Sequence, residues 1–79
     1  MQNILEQLAV MLREFLGDNT ITIAPEMPLR GALGLDSYDM ASLLGEVEER
    51  FDVEIPDRAV MEMITVGDVV DYLTAHAGK

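Results

Sequence analysis

The stretch that decides the fold is residues 36–51, DSYDMASLLGEVEERF. Met40, Leu43, Leu44, Val47 and Phe51 recur at i, i+3, i+4, i+7 and i+11, a spacing that lines up one face of an α-helix. The start is equally marked. Asp36 can accept a hydrogen bond from a first-turn amide, Asp39 stands three positions on, and Leu35 and Met40 occupy the two places of a hydrophobic staple. These features predict a helix that begins at Ser37 and buries that stripe. Its opposite face is Tyr38, Ser42, Gly45 and Glu49, which puts Tyr38 in solvent beside Ser37. Glu46, Glu48 and Glu49 fall on or beside the exposed side.

A helix with one apolar stripe needs partners to cover it. Upstream, Ile4, Leu8, Met11, Leu12 and Phe15 repeat at helical spacing, Asn3 with Glu6 resembles a capping box, and Gly17 supplies a stop. A first helix over about residues 3–16 follows. Residues 18–35 hold Pro25, Pro28, Gly31 and Gly34 and no sustained helical period. The alternation in NTITIAP (19–25) has no second strand to pair with, so the segment reads as a long extended connection, of a length that usually has a task. Downstream, Pro56 ends DVEIP, Asp57 is placed to cap, and about 58–63 suffices for a helix of one or two turns. Thr65 and Asp68 make a further capping pair. Val66, Val69, Val70, Leu73 and Ala77 then form the inward stripe of a last helix ending before Gly78. The prediction is an all-α four-helix bundle, three longer helices and a short third, forming a single domain over residues 1–79 without internal repeats.

At 79 residues the chain lies near the lower limit for a single apolar core, so every helix must contribute. Hydrophobic residues make up 49% and aromatics 5%, which leaves Leu, Ile, Val and Met to fill the interior. The absence of cysteine excludes a disulfide framework and a thiolate metal site. No apolar run approaches the roughly 18 residues of a membrane span, and no signal or transit peptide is visible. A soluble, cytoplasmic protein is expected. Asp and Glu number 15 against 5 Lys and Arg, a net charge of −10. Such a surface repels nucleic acid and anionic lipid and suits partners with basic patches, and salt or divalent cations should relieve its self-repulsion.

LGLDSYD (33–39) sets one hydroxyl among carboxylates. A serine nucleophile needs a base, yet His76 and Lys79 stand at the far end of the chain. His76 is better placed to meet the carbonyl end of its own helix. No stretch has the spaced oxygen ligands and central glycine of a calcium-binding loop. Ser37 therefore does not read as a catalytic group, and from these residues alone a helix cap and a point where a group is attached both stand open.

The runs LGLDSYD, EERFDVEIPD and ITVGDVVDYL, in that order over roughly residues 29–75, together resemble the acyl carrier protein family. The resemblance implies a 4′-phosphopantetheine arm, transferred from coenzyme A to Ser37 by a separate, magnesium-dependent phosphopantetheinyl transferase. The arm's thiol would then hold an acyl group as a thioester. The base and metal belong to the modifying enzyme, and Ser37 needs only exposure and placement. Asp36 would serve both recognition by that enzyme and capping. A phosphodiester at the first turn lies near free backbone N–H groups and the positive end of the helix dipole, worth roughly 0.3–1 kcal/mol. Asp36 and Asp39 partly oppose that gain.

The resemblance further implies that the second helix docks acyl-transferring and synthase enzymes, its carboxylates meeting their Arg and Lys. Here Asp39, Glu46, Glu48 and Glu49 would serve, with Tyr38, where leucine is usual in the family, adding an apolar contact. Ser42 and Gly45 leave the centre of that face lighter in charge and bulk than the family pattern. Val47, Phe51, Ile55, Val60, Met61, Ile64 and Leu73 are expected to form an apolar core between the last three helices that opens to shelter the acyl chain, aided by the adaptable Met61 and Met63. The expectation is a free-standing, monomeric carrier, not an enzyme, with no metal site, nucleic-acid partner or membrane insertion. It would serve fatty-acid or related polyketide or specialised acyl synthesis. Peptidyl and D-alanyl carriers share this architecture, and an acidic helical interaction module without a prosthetic group is the reading outside the class.

Overall fold

The computed structural model describes residues 3–76. Its four helices are α1 (Ile4–Leu16), α2 (Ser37–Phe51), α3 (Asp57–Glu62) and α4 (Val66–His76), an all-α arrangement with the short third helix that the apolar spacing predicts. Ala77, read from sequence as the last residue of the inward stripe, and Gly78, read as the point before which the helix ends, lie with Lys79 outside the described residues.

α1 packs against α4 and α2. Leu8 and Leu12 of α1, Leu43 and Val47 of α2, and Val66, Val69 and Leu73 of α4 are all essentially sealed from solvent. Each such side chain contributes about 1.5–3 kcal/mol by leaving water. Met40 and Leu44 complete the buried face of α2, and Phe51 ends it half-buried against the core.

The helix ends follow the capping chemistry. Asn3 Oδ1 accepts the Glu6 N–H at 2.8 Å, and α1 stops at Gly17 in the left-handed conformation (φ +70°), where a side chain would be strained. Thr65 and Asp68 form the reciprocal pair at α4. Thr65 Oγ1 accepts the Asp68 N–H at 3.2 Å, and Asp68 Oδ2 accepts the N–H groups of Thr65 at 3.0 Å and Ile64 at 2.9 Å. The third helix departs from expectation. It begins at Asp57, and its N-cap is Pro56, with no side-chain cap hydrogen bond. The proline ring already holds the extended entry, and the Pro56 carbonyl accepts from Ala59 and Val60, so Asp57 is the first helical residue instead of the cap.

The 18–35 connection contains no strand, as expected, but it is docked along its length. Leu29 N–H donates to the Ile64 carbonyl, Val66 N–H to Met27 and Gly67 N–H to Pro25, with an antiparallel bridge between Pro28 and Thr65. Gly67 permits this approach, since a Cβ there would stand 3.0 Å from the Pro25 oxygen. Arg13 Nε ties the other end by donating to the Ile21 carbonyl at 2.9 Å. Ile23, Leu29, Leu33 and Leu35 are consequently buried, and the connection supplies part of the core.

Candidate functional site

Ser37 is the first residue of α2 and is exposed. Three local devices fix it there. Gly34 turns the chain in the left-handed region (φ +69°), which delivers Leu35 to the core, where it and Met40 are both 3% exposed. Asp36 Oδ1 then accepts the Asp39 N–H at 2.8 Å, while Asp39 Oδ2 accepts the Asp36 N–H at 3.5 Å, a complete capping box. With its neighbours held on both sides, the Ser37 hydroxyl is displayed at the helix start.

The group against Ser37 Oγ is cationic: Arg30 Nη2 donates to it at 3.4 Å. A guanidinium cannot take a proton at accessible pH, and among the described residues no carboxylate or imidazole is hydrogen-bonded to this hydroxyl. The arrangement displays a nucleophilic atom without activating it. Arg30 was not singled out in the sequence, because seven residues and a turn separate it from Ser37.

A trough of about 480 Å³ runs beside the site, lined by Arg30, Met40, Val60, Met61, Met63 and Ile64. A second recess of about 340 Å³ runs from Ser37 past Met40 and Gly45 to Ile55 and Val60. Arg30, Met40, Val60 and Met61 line both. Two residues expected in the apolar core are corrected here: Met61 is 81% exposed and Ile64 65%. α3 is too short to bury a continuous face, and beyond it Met63 takes an extended conformation. Met63 therefore points inward and Ile64 outward, so Met63 holds the interior position. Val47 and Leu73 are sealed in the core, Ile55 is buried, and Phe51 and Val60 are half-buried.

The carboxylates expected to face partners divide in the same way. Glu46 and Glu49 are exposed, sharing a shallow hollow with Glu14 and Arg50. Asp39 is half-buried in the capping box. Glu48, beside the exposed side, is half-buried and accepts the Ile55 N–H at 2.8 Å, so its carboxylate closes the turn after α2. Tyr38 projects into solvent with 78% of its surface exposed. His76 stacks on Tyr72 in the last turn of α4, ring centroids 4.2 Å apart, and Tyr72 Oη donates to the Glu54 carbonyl. Among the described residues, no helix is long and apolar enough to cross a membrane, and no cluster of three or more His, Asp or Glu could hold a metal ion.

An exposed serine at a rigid helix start, with a cation at its oxygen and an apolar trough alongside, fits a phosphate-linked group on that oxygen. The family model for the phosphopantetheine attachment site matches residues 6–73. The chain is 38% identical over 68 residues to an acyl carrier protein of Helicobacter pylori, covering 86% of this chain and 87% of that one. It is 37% identical over 75 residues to an acyl carrier protein of Cyanidioschyzon merolae, covering 95% and 82%. Among solved structures, a Mycobacterium tuberculosis protein assigned as an acyl carrier protein superposes with a TM-score of 0.85 at 28% identity, over 90% of this chain and 95% of that one. The holo acyl carrier protein of Geobacter metallireducens superposes with a TM-score of 0.80 at 20% identity, over 90% and 82%, a likeness of fold. Fold and site together define a phosphopantetheine-bearing carrier. The chain belongs to the acyl carrier protein family, whose prosthetic group is a covalently attached 4′-phosphopantetheine.

Proposed function

We propose that Ser37 carries the arm and that residues 1–79 act as one monomeric carrier domain in the cytoplasm. It would present acyl intermediates of fatty-acid, or related polyketide or specialised, synthesis to separate enzymes. The observation that chiefly supports this is the Ser37 hydroxyl, exposed at the first turn of α2 and touched by a guanidinium and no base. On loading, Ser37 Oγ loses its proton and gains an O–P bond to the pantetheine phosphate, as the nucleotide portion of coenzyme A leaves. When bound, the group supplies a terminal thiol that holds acyl groups as thioesters.

The chain's own residues orient and present. Asp36 and Asp39 fix the first turn, and Asp36 is offered to the transferase. Met40, Val60, Met61 and Ile64 give an acyl chain an apolar path beside the attachment point, leading toward Ile55, the half-buried Phe51 and the buried Val47 and Leu73. Tyr38, Glu46 and Glu49 meet apolar and basic groups on synthases, transferases and the modifying enzyme. Catalytic groups belong to those partners.

The test is incubation with coenzyme A, magnesium and a broad-specificity phosphopantetheinyl transferase, read by intact mass and by fragmentation. One arm on residue 37 is expected, and none on S37A. A wild-type chain that stays bare, or an arm at another residue, overturns the assignment.

A further inference from the structure

We propose that Arg30 is a positioning residue for the arm: its guanidinium holds the phosphodiester on Ser37 Oγ and directs the arm into the trough between the α1–α2 connection and α3. This rests on Ser37 being the attachment point. Arg30 Nη2 stands 3.4 Å from Ser37 Oγ, and among the described residues Arg30 makes no ion pair. A neutral hydroxyl is a poor partner for that charge. Esterification puts anionic oxygens two bonds beyond the atom that Arg30 already touches. A guanidinium is permanently charged and offers paired N–H donors that match two phosphate oxygens.

The nearby backbone supports the role. Leu29, immediately before Arg30, is buried to 1% exposure and its N–H donates to the Ile64 carbonyl at 2.8 Å, so the guanidinium is carried on an anchored segment. Asp36 and Asp39 frame the serine and repel a phosphodiester, and Arg30 is the cation placed to offset them. Arg30 also lines both recesses beside Ser37. A phosphate drawn to it starts the arm along the Met61 and Ile64 side, away from Glu46 and Glu49.

The test compares apo and holo wild-type protein by NMR of the Arg30 side-chain N–H, with the holo ³¹P signal recorded for wild type, R30K and R30Q. Loading is driven to completion with excess transferase and verified by mass. On loading, the Arg30 signal is expected to shift and exchange more slowly with water, returning toward its apo position in about 0.5 M salt. The ³¹P signal should move in R30Q and less in R30K. Loading should raise the Tm of wild type by about 1–5 °C more than that of R30Q, with the two apo proteins equal. An Arg30 signal indifferent to loading, or a ³¹P signal identical in R30Q, overturns the proposal while leaving Ser37 as the attachment point. A wild-type chain with no arm on residue 37 overturns the attachment itself, and mass alone reports that outcome.

Discussion

The carboxylate of Glu48 accepts the Ile55 N–H at 2.8 Å, joining the last turns of α2 to the segment that enters α3. The same residue's main-chain oxygen accepts the N–H groups of Asp52 and Val53, where Asp52 turns through the left-handed region at φ 53°. Glu48 thus closes the C-terminal end of α2 with both its backbone and its side chain. A carboxylate occupied in this way is a structural group.

Removing that carboxylate should therefore cost stability. E48A is expected to lose about 1–3 kcal/mol, since the half-buried Ile55 N–H forfeits a charged acceptor. E49A, on the exposed side, should stay within about 0.5 kcal/mol of wild type. Urea unfolding of both variants checks the contrast, and equal midpoints would show that the Glu48 bond contributes nothing.

Two helical glycines should respond with opposite sign to alanine. At Gly45 a Cβ would meet nothing within 4 Å, so G45A recovers helix propensity and should gain about 0.8–1 kcal/mol, several degrees in Tm for a domain this small. At Gly67 the added Cβ would stand 3.0 Å from the Pro25 oxygen, which is itself held by the Gly67 N–H at 2.7 Å. Undocking the connection should outweigh the propensity gain, so G67A lowers Tm. A rise in Tm for G67A would show that the connection yields without loss.

Acid should weaken the α4 start. The Thr65 N–H, and then the Ile64 N–H, hold the Asp68 carboxyl below its ordinary value of 3.8. A carboxyl depressed in the folded state contributes stability that is complete above the unfolded value and is lost as pH falls through the folded one. The contribution should therefore be intact at neutral pH and fade below about pH 3.8. D68N should be less stable than wild type at pH 7, with the gap closing as the solution is acidified. A gap that stays constant from pH 7 to the acid limb would disprove this origin.

How much of this was legible beforehand follows from where the signals lie. The α2 stripe and the capping residues are local, and Asp36, Asp39, Thr65 and Asp68 make the hydrogen bonds that their spacing announces. Ser37 stood out for the same reason. What could not be read was long-range. Nothing in residues 18–35 reveals that they pair with 64–67, and without that pairing Leu29 and Arg30 have no location. Met61 was misplaced because a helix of six residues, none of them buried, leaves it facing solvent, and Ile64 because the backbone beyond α3 turns extended at Met63, which takes the inward position instead. The bond made by Glu48 could not be read because its partner is an amide seven residues away, on the far side of a turn.

Tyr38 carries the last prediction. It follows Ser37, the proposed attachment residue, directly, is 78% exposed, and among the described residues makes no side-chain hydrogen bond that would hold it for structural ends. A large ring so exposed contributes little to folding, so Y38A should leave stability within about 0.5 kcal/mol. An enzyme that reaches the Ser37 hydroxyl must pass beside that ring, and burying it at the interface should add of the order of 1 kcal/mol or more. Y38A is thus expected to bind a phosphopantetheinyl transferase about five- to tenfold more weakly, with the loss insensitive to salt. E46K combined with E49K should instead weaken binding in a salt-dependent manner. Calorimetric titration at two ionic strengths separates the apolar from the charged contribution, and unchanged affinity for Y38A at both would remove Tyr38 from the docking surface.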